Sequence, residues 1–262
     1  MSTAHNQASA SGQRRVFTIR TLKRDELIDI LALGWRDFTA APLYGLFFGG
    51  IYGFGGLCIL ALVFYFNAPY IGYPKVAGFA LIAPFVAAGT YEISRRLERN
   101  EPLAWSSIFG AVWHRGGKEL GWMALVTVFS LIIWVDFAVF LFLMFFGLHI
   151  PTLEDLITIL LTTEQGLIFI IIGHCAGFIF ASLVFSITVI SFPLLADQDV
   201  DFITAMITSV RSVLLNKLQM TAWAVLIALL LSFSILSCFI GLCVILPILG
   251  HATWHLYRRL IV

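Results

Sequence analysis

"MTAWAVLIALLLSFSILSCFIGLCVILPILGHATWHLYR", residues 220 to 258, decides how often this chain crosses a membrane. As one helix the run would be roughly 57 Å long at 1.5 Å per residue, far beyond the hydrocarbon core of a bilayer. It is therefore expected to split near "SCFIGLC", residues 237 to 243, into spans at about 220–238 and 241–258.

The rest of the chain has the same character. Of its 262 residues, 60% are hydrophobic and only 12% charged, against roughly 25% charged in soluble domains. Further apolar runs lie at about 43–66, 75–92, 120–147 and 166–192. Each is long enough for a spanning helix, and only helices or closed barrels satisfy their backbone in lipid. A net charge of +1 gives no reason to expect nucleic acid. Residues 1–20 have no apolar core of signal-peptide type and are read as a disordered cytoplasmic start, with 21–262 as one membrane domain.

Six spans with both ends cytoplasmic can be tested against the basic residues. Arg14, Arg15, Arg20, Lys23, Arg24 and Arg36 precede the first span; Arg95, Arg96, Arg99, Arg115 and Lys118 follow the second. Arg211 and Lys217 follow the fourth, and Arg258 and Arg259 follow the sixth. Fifteen of the sixteen Lys and Arg thus fall on one side, with Lys75 alone on the other, as the positive-inside rule requires. A five-span chain would put Arg258 and Arg259 outside. The expected fold is an all-α, six-helix bundle of three hairpins.

Amphipathic connectors are expected on the cytoplasmic side. "LKRDELIDILALGWRDF" (22–38), "EPLAWSSIFGAVWHRGGKEL" (101–120) and "DVDFITAMITSVRSVLLNKL" (199–218) space apolar residues at helical intervals between charges. The acids Asp197, Asp199 and Asp201 suit a helix N-terminus. Two span ends also align on their prolines: eleven to thirteen residues after Pro84 and Pro247 come Arg95-Arg96-Leu97 and Arg258-Arg259-Leu260, with Tyr91 matching Trp254.

"APLYGLFFGG" (41–50), "NAPYIGYPKVAGFALIAPFVAAGTYEISRRLERNEPLAW" (67–105), "SFPLLADQDVDFITAMITSVRSVL" (191–214) and "ILPILGHATWHLYRRL" (245–260) together resemble a family of bacterial integral membrane proteins, the domain of unknown function numbered 2189. The resemblance implies a multi-pass protein of the bacterial cytoplasmic (inner) membrane. It implies no established activity and no catalytic residues. Some members are labelled cytochrome c oxidase subunits, yet a haem-copper catalytic subunit needs six histidine ligands in its helices. Here only His174, His251 and His255 of six histidines fall in spans, so only an accessory place in such a complex is open.

Three intramembrane polar residues are candidate site residues. Asp136, mid-span in "SLIIWVDFAVFLF", costs about 2.5–3.5 kcal/mol at a helix centre, so it needs protein or water beside it. His174, in "IIGHCAGFIF", is expected at similar depth and could pair with it; Gly173, Gly177 and Ala181 suggest a packed face that would bury it. His251 lies at a depth like that of His174, and two such histidines could clamp a haem iron. His255, Trp254 and Tyr257 are expected in an interfacial belt, with Arg258 and Arg259 as anchors. The glycines Gly45, Gly49 and Gly53 favour close helix packing.

Cys58, Cys175, Cys238 and Cys243 show no C-x-x-C spacing and read as small buried apolar residues, not metal ligands or disulfides. No nucleophile motif or phosphate-binding glycine loop is present. The expected function is a non-enzymatic accessory or interaction subunit in the bilayer, alone, as a homo-oligomer or in a respiratory complex, with no resident cofactor. The alternatives are a small permease or ion-coupled channel centred on Asp136 and His174, and a haem-carrying redox subunit.

Overall fold

The computed structural model describes residues 17–66, 85–115, 117–148 and 153–262. Among these the chain is helical, apart from one isolated bridge between Ile19 and Ile261. In order the helices are α1 (Glu26–Ala40), α2 (Pro42–Phe66), α3 (85–98), α4 (Trp105–Arg115), α5 (Gly117–Phe146), α6 (Leu153–Thr162), α7 (Glu164–Thr188), α8 (Ser191–Asp197), α9 (Phe202–Leu215), α10 (Lys217–Leu236) and α11 (Leu242–Leu260).

The long run breaks within the expected stretch 237–243, between α10 and α11. Cys238 and Phe239 take positive φ values of 53° and 66° in the turn, a conformation that non-glycine residues rarely adopt. Ser237 secures it by accepting from the Gly241 amide at 3.0 Å. The runs expected at 43–66, 120–147 and 166–192 are α2, α5 and α7; the one at 75–92 lies mostly outside the described residues. The three connectors contain α1, α4 and α9, and Asp201 caps α9 by accepting from Thr204 N at 2.9 Å.

The six-span expectation is met only in part. Three helical stretches among the described residues are long and apolar enough to cross a membrane, Gly117–Phe146, Glu164–Asp197 and Lys217–Ser234. A fourth is added if α1 and the start of α2, bent by 103° at Ala41, form one broken span. Helix α11 does not qualify, because two histidines and two arginines occupy its C-terminal half.

Instead α11 is the buried centre of the molecule, and from Pro247 to Leu260 most of its side chains are covered. Pro247 has no N–H to give the Cys243 carbonyl. Gly49 of α2 lies directly against that carbonyl, and a Cβ there would collide with it. At Gly53 an added Cβ would fall 2.5 Å from Cys243 Sγ, so the glycine stripe is what lets α2 approach α11. On another side Gly34 of α1 meets the Ala252 backbone, where a Cβ would sit 2.7 Å from its nitrogen.

Helix α3 completes the core. Gly250 lies against Thr90, Ser94 reaches His251, and Tyr91 stacks on Trp254 with ring centroids 6.5 Å apart. Residue numbers rise together along both helices, so the two proline-aligned segments run parallel and side by side; Pro84 itself lies outside the described residues. Helices α5 and α7 join this core at Leu120, Met123 and Phe185 and beyond it form an antiparallel pair, with Trp134 on Phe180 and Phe145 on Phe169.

Candidate functional site

Two places carry polar chemistry, one buried and one exposed. The buried place joins α1, α3 and α11. His255 Nε2 donates to Asp37 Oδ2 at 2.7 Å, and one helical turn away His251 Nδ1 lies 2.8 Å from Ser94 Oγ. Asp37 is 1% exposed, His251 and Ser94 are fully buried, and His255 is nearly so. The i, i+4 spacing of the histidines puts both on one face of α11, and the crossing of α1 at Gly34 brings Asp37 to it.

Burial alone would raise the Asp37 pKa. Hydrogen bonds from His255, Ser94 and Arg36, with the charge of His255, outweigh that and hold the carboxyl below its ordinary value. Arg36 supplies Nη2 to Asp37 Oδ1 at 3.1 Å from the exposed side. The serine and the aspartate therefore meet different imidazoles, and no single ring relays a proton between them as in a hydrolase triad. His251 Nε2 has no hydrogen-bond partner among the described residues, a position that a buried water could satisfy.

A second layer lies toward the end of α11. Arg95 grips Glu92 with two bonds of 2.7 and 2.6 Å, and Arg96 joins the same carboxylate at 2.8 Å. Trp254 Nε1 donates to Glu98, which Arg258 also reaches at 3.1 Å; Tyr257 OH donates to Asp197 at 2.8 Å; Arg259 pairs with Glu26 and Asp29. Trp254, Tyr257 and His255, expected in an interfacial belt, are buried here. Their polar atoms tie α11 to α1, α3 and α8, and the arginines carry those ties outward.

The exposed place is the α5–α7 pair. The structure does not bring Asp136 and His174 together. Helix α5 meets α7 through Trp134, Leu141 and Phe145, and Asp136, two residues and about 200° of rotation past Trp134, points away from α7. Asp136 is exposed and makes no ion pair or hydrogen bond among the described residues. His174 is exposed too, and its Nδ1 donates to the Ile170 carbonyl of its own helix at 2.8 Å. Gly173 and Gly177 pack on Leu141 and Trp134, so the small-residue face exists but does not cover His174.

His174 and His251, the proposed haem pair, sit in different surroundings: one exposed on α7, the other sealed against Ser94. Among the described residues no three His, Cys, Asp or Glu converge in a way that could hold a metal ion. The four cysteines are free; Cys58, Cys175 and Cys238 are exposed, contrary to the expected burial, and Cys243 is half-buried.

Residues 73–197 match the family described as "Predicted integral membrane protein (DUF2189)". The resemblance read from the sequence is therefore found again over just under half of the chain. The matched stretch runs through α3 to α8 and contains Ser94, Asp136 and His174, while Asp37, His251 and His255 lie outside it. No curated protein and no solved structure matches the chain.

Proposed function

We propose that this integral membrane protein spans the bacterial cytoplasmic membrane six times, with both termini cytoplasmic, and acts as a non-enzymatic interaction subunit. The asymmetry of its lysines and arginines supports the orientation. So does the parallel course of α3 and α11, which in a three-hairpin chain both return to the cytoplasm.

The interaction role rests on one observation. Only 6% of the apolar window of α5 is buried, and none of that of α7, although α5 carries an exposed aspartate. Along that open side Leu125, Phe129, Ile132, Asp136, Val139 and Leu143 recur at intervals of 4, 3, 4, 3 and 4 residues, all exposed. This is a heptad seam with one polar residue near its middle, the pattern that fixes register when a second helix docks. A partner span offering a hydrogen-bond donor or basic group at that depth satisfies Asp136, whereas lipid leaves it bare.

Affinity purification from native membranes tests the reading, with a respiratory complex as the first assembly to look for. A membrane protein that co-purifies with the wild type and is lost on Asp136→Leu supports the role. Isolation of the chain alone from both, or retention of the same protein by both, contradicts it.

A further inference from the structure

Helix α9 is built inside out. Its buried face carries Thr204, Ala205, Thr208, Ser209 and Ser212, whereas Ile203 and Leu214 are exposed and Ile207 and Val210 half-buried. These four apolar residues recur at intervals of 4, 3 and 4, so they form one stripe on the side away from the core. The buried hydroxyls are satisfied within the protein. Thr208 and Ser212 donate to the carbonyls one turn back at 2.8 Å; Ser209 donates to the Ser186 carbonyl at 2.7 Å and accepts from the Ile190 amide at 3.1 Å. A helix lying against water has the opposite polarity, with its apolar residues on the core.

Three fixed points give the depth of α9. The amide of its first residue, Phe202, donates to Glu119 at 3.0 Å, in the first turn of the apolar stretch Gly117–Phe146, and its ring stacks on Trp122. Its middle packs through Ser209 on Ser186 and Ile190, inside the end of the stretch Glu164–Asp197. Its C-cap, Asn216, immediately precedes the stretch Lys217–Ser234. Both ends of α9 thus stand level with the starts of spans, and its length of roughly 21 Å runs across the bundle at that level. The stacked tryptophan suits the membrane–water interface.

We propose that α9 lies in the plane of the membrane, with Ile203, Ile207, Val210 and Leu214 sunk about 5–10 Å into the acyl chains of the adjacent leaflet. Unlike the α5 seam, this stripe holds no polar residue that asks for a protein partner. The chain carries no acid after Asp201, and the charges that follow, up to Arg258, are Arg211 and Lys217, both exposed. Their long stems reach the headgroups while the stripe stays in lipid. The proposal rests on the three stretches crossing the bilayer, and neither on the docking role of α5 nor on which side is cytoplasmic.

The test is electron paramagnetic resonance of the full chain in vesicles of phosphatidylethanolamine and phosphatidylglycerol. A nitroxide carried on p-acetylphenylalanine, which spares the four native cysteines, is placed in turn at Ile207, Val210 and Leu214, with exposed Phe178 of α7 as the lipid reference. Collisions with oxygen are expected to exceed those with a water-soluble nickel chelate severalfold at all three positions, as at Phe178. Excess nickel collisions at the three would put the face in water, and low rates with both reagents would put it under protein; either overturns the proposal. Excess nickel collisions at Phe178 as well would remove the spans themselves, and the reading above with them. The unlabelled wild type gives a second measurement, with a phosphatidylcholine bearing a photoreactive group on its acyl chain. Adducts are expected on the segment 203–214, and adducts on α7 with none on that segment would again overturn the proposal.

Discussion

Asp37 and His255 are 218 residues apart in sequence and 2.7 Å apart in the structure, and their hydrogen bond fastens the amphipathic helix α1 to the last helix of the chain. Both are buried, so removing one partner strands the other. Breaking such a pair costs about 3–5 kcal/mol. Asp37→Ala is therefore expected to lower the thermal unfolding midpoint of the detergent-solubilised protein sharply, and circular dichroism melting checks it. An unchanged midpoint would show that α1 is held by apolar contacts alone.

The same pair gives a pH dependence of definite sign. The folded-state pKa of Asp37 is depressed below the ordinary 3.8, so its contribution is complete above that value. It is lost as the pH falls through the depressed folded value. Melting midpoints of wild type and Asp37→Asn should still differ at pH about 5 and converge only below about pH 4. Convergence already at pH about 6 would show that the Asp37 carboxyl is not held below its ordinary value.

The glycines of α2 permit a graded test. A methyl at Gly49 meets the Cys243 carbonyl, whereas a methyl at Gly50, one residue on, meets nothing within 4 Å. Gly49→Ala should separate α2 from α11 and reduce the folded yield from membranes. Gly50→Ala should match or slightly exceed wild type, since alanine is favoured over glycine in a helix by up to about 1 kcal/mol. Equal yields for the two would contradict the close approach.

Helix α9 depends on the residue that caps it. Asp201 accepts from both the amide and the hydroxyl of Thr204, at 2.9 and 2.6 Å. Replacing such a cap by alanine costs about 1 kcal/mol. Asp201→Ala should lower the melting midpoint, and Asp201→Asn should recover most of the loss.

These residues also mark what the sequence discloses and what it does not. Apolar length gave α5 and α7, and the turn at 237–241 followed from a run too long for one helix. Asp201 was visible because a cap acts within its own turn. The Asp37–His255 bond was not visible, since it requires knowing that α1 crosses α11 at Gly34. His255 stands between Trp254 and Leu256, two residues before Tyr257, and local context alone places it in an interfacial belt; the packing of α1 and α3 buries it instead.

Asp136 and His174 show the limit from the other side. Depth along a span is countable, and by depth they could meet. The direction in which each points depends on which face of α5 meets α7, and Trp134 occupies that face. The stripe from Leu125 to Leu143 was present in the sequence, but in an apolar helix almost any spacing can be found. It gained meaning once α7 was seen to pack elsewhere and leave this side open.

If the open side of α5 is a docking seam, Asp136 burdens the isolated chain and serves the assembly. Asp136→Leu removes a residue that costs about 2.5–3.5 kcal/mol at a span centre. The variant should therefore accumulate in membranes at least as well as wild type while losing its co-purifying protein. Reduced accumulation would instead place Asp136 within the fold of the single chain.

The most direct measurement is site-specific photo-crosslinking in native membranes, with the photoreactive residue at Phe129 or Leu143 on the α5 seam and at Leu229 on the exposed side of α10 as reference. The account predicts a discrete protein adduct from both seam positions, lost when Asp136 is replaced by leucine, and only lipid adducts from Leu229. Lipid adducts alone from Phe129 and Leu143 would show that α5 faces the bilayer, and the interaction role would have no surface to act through.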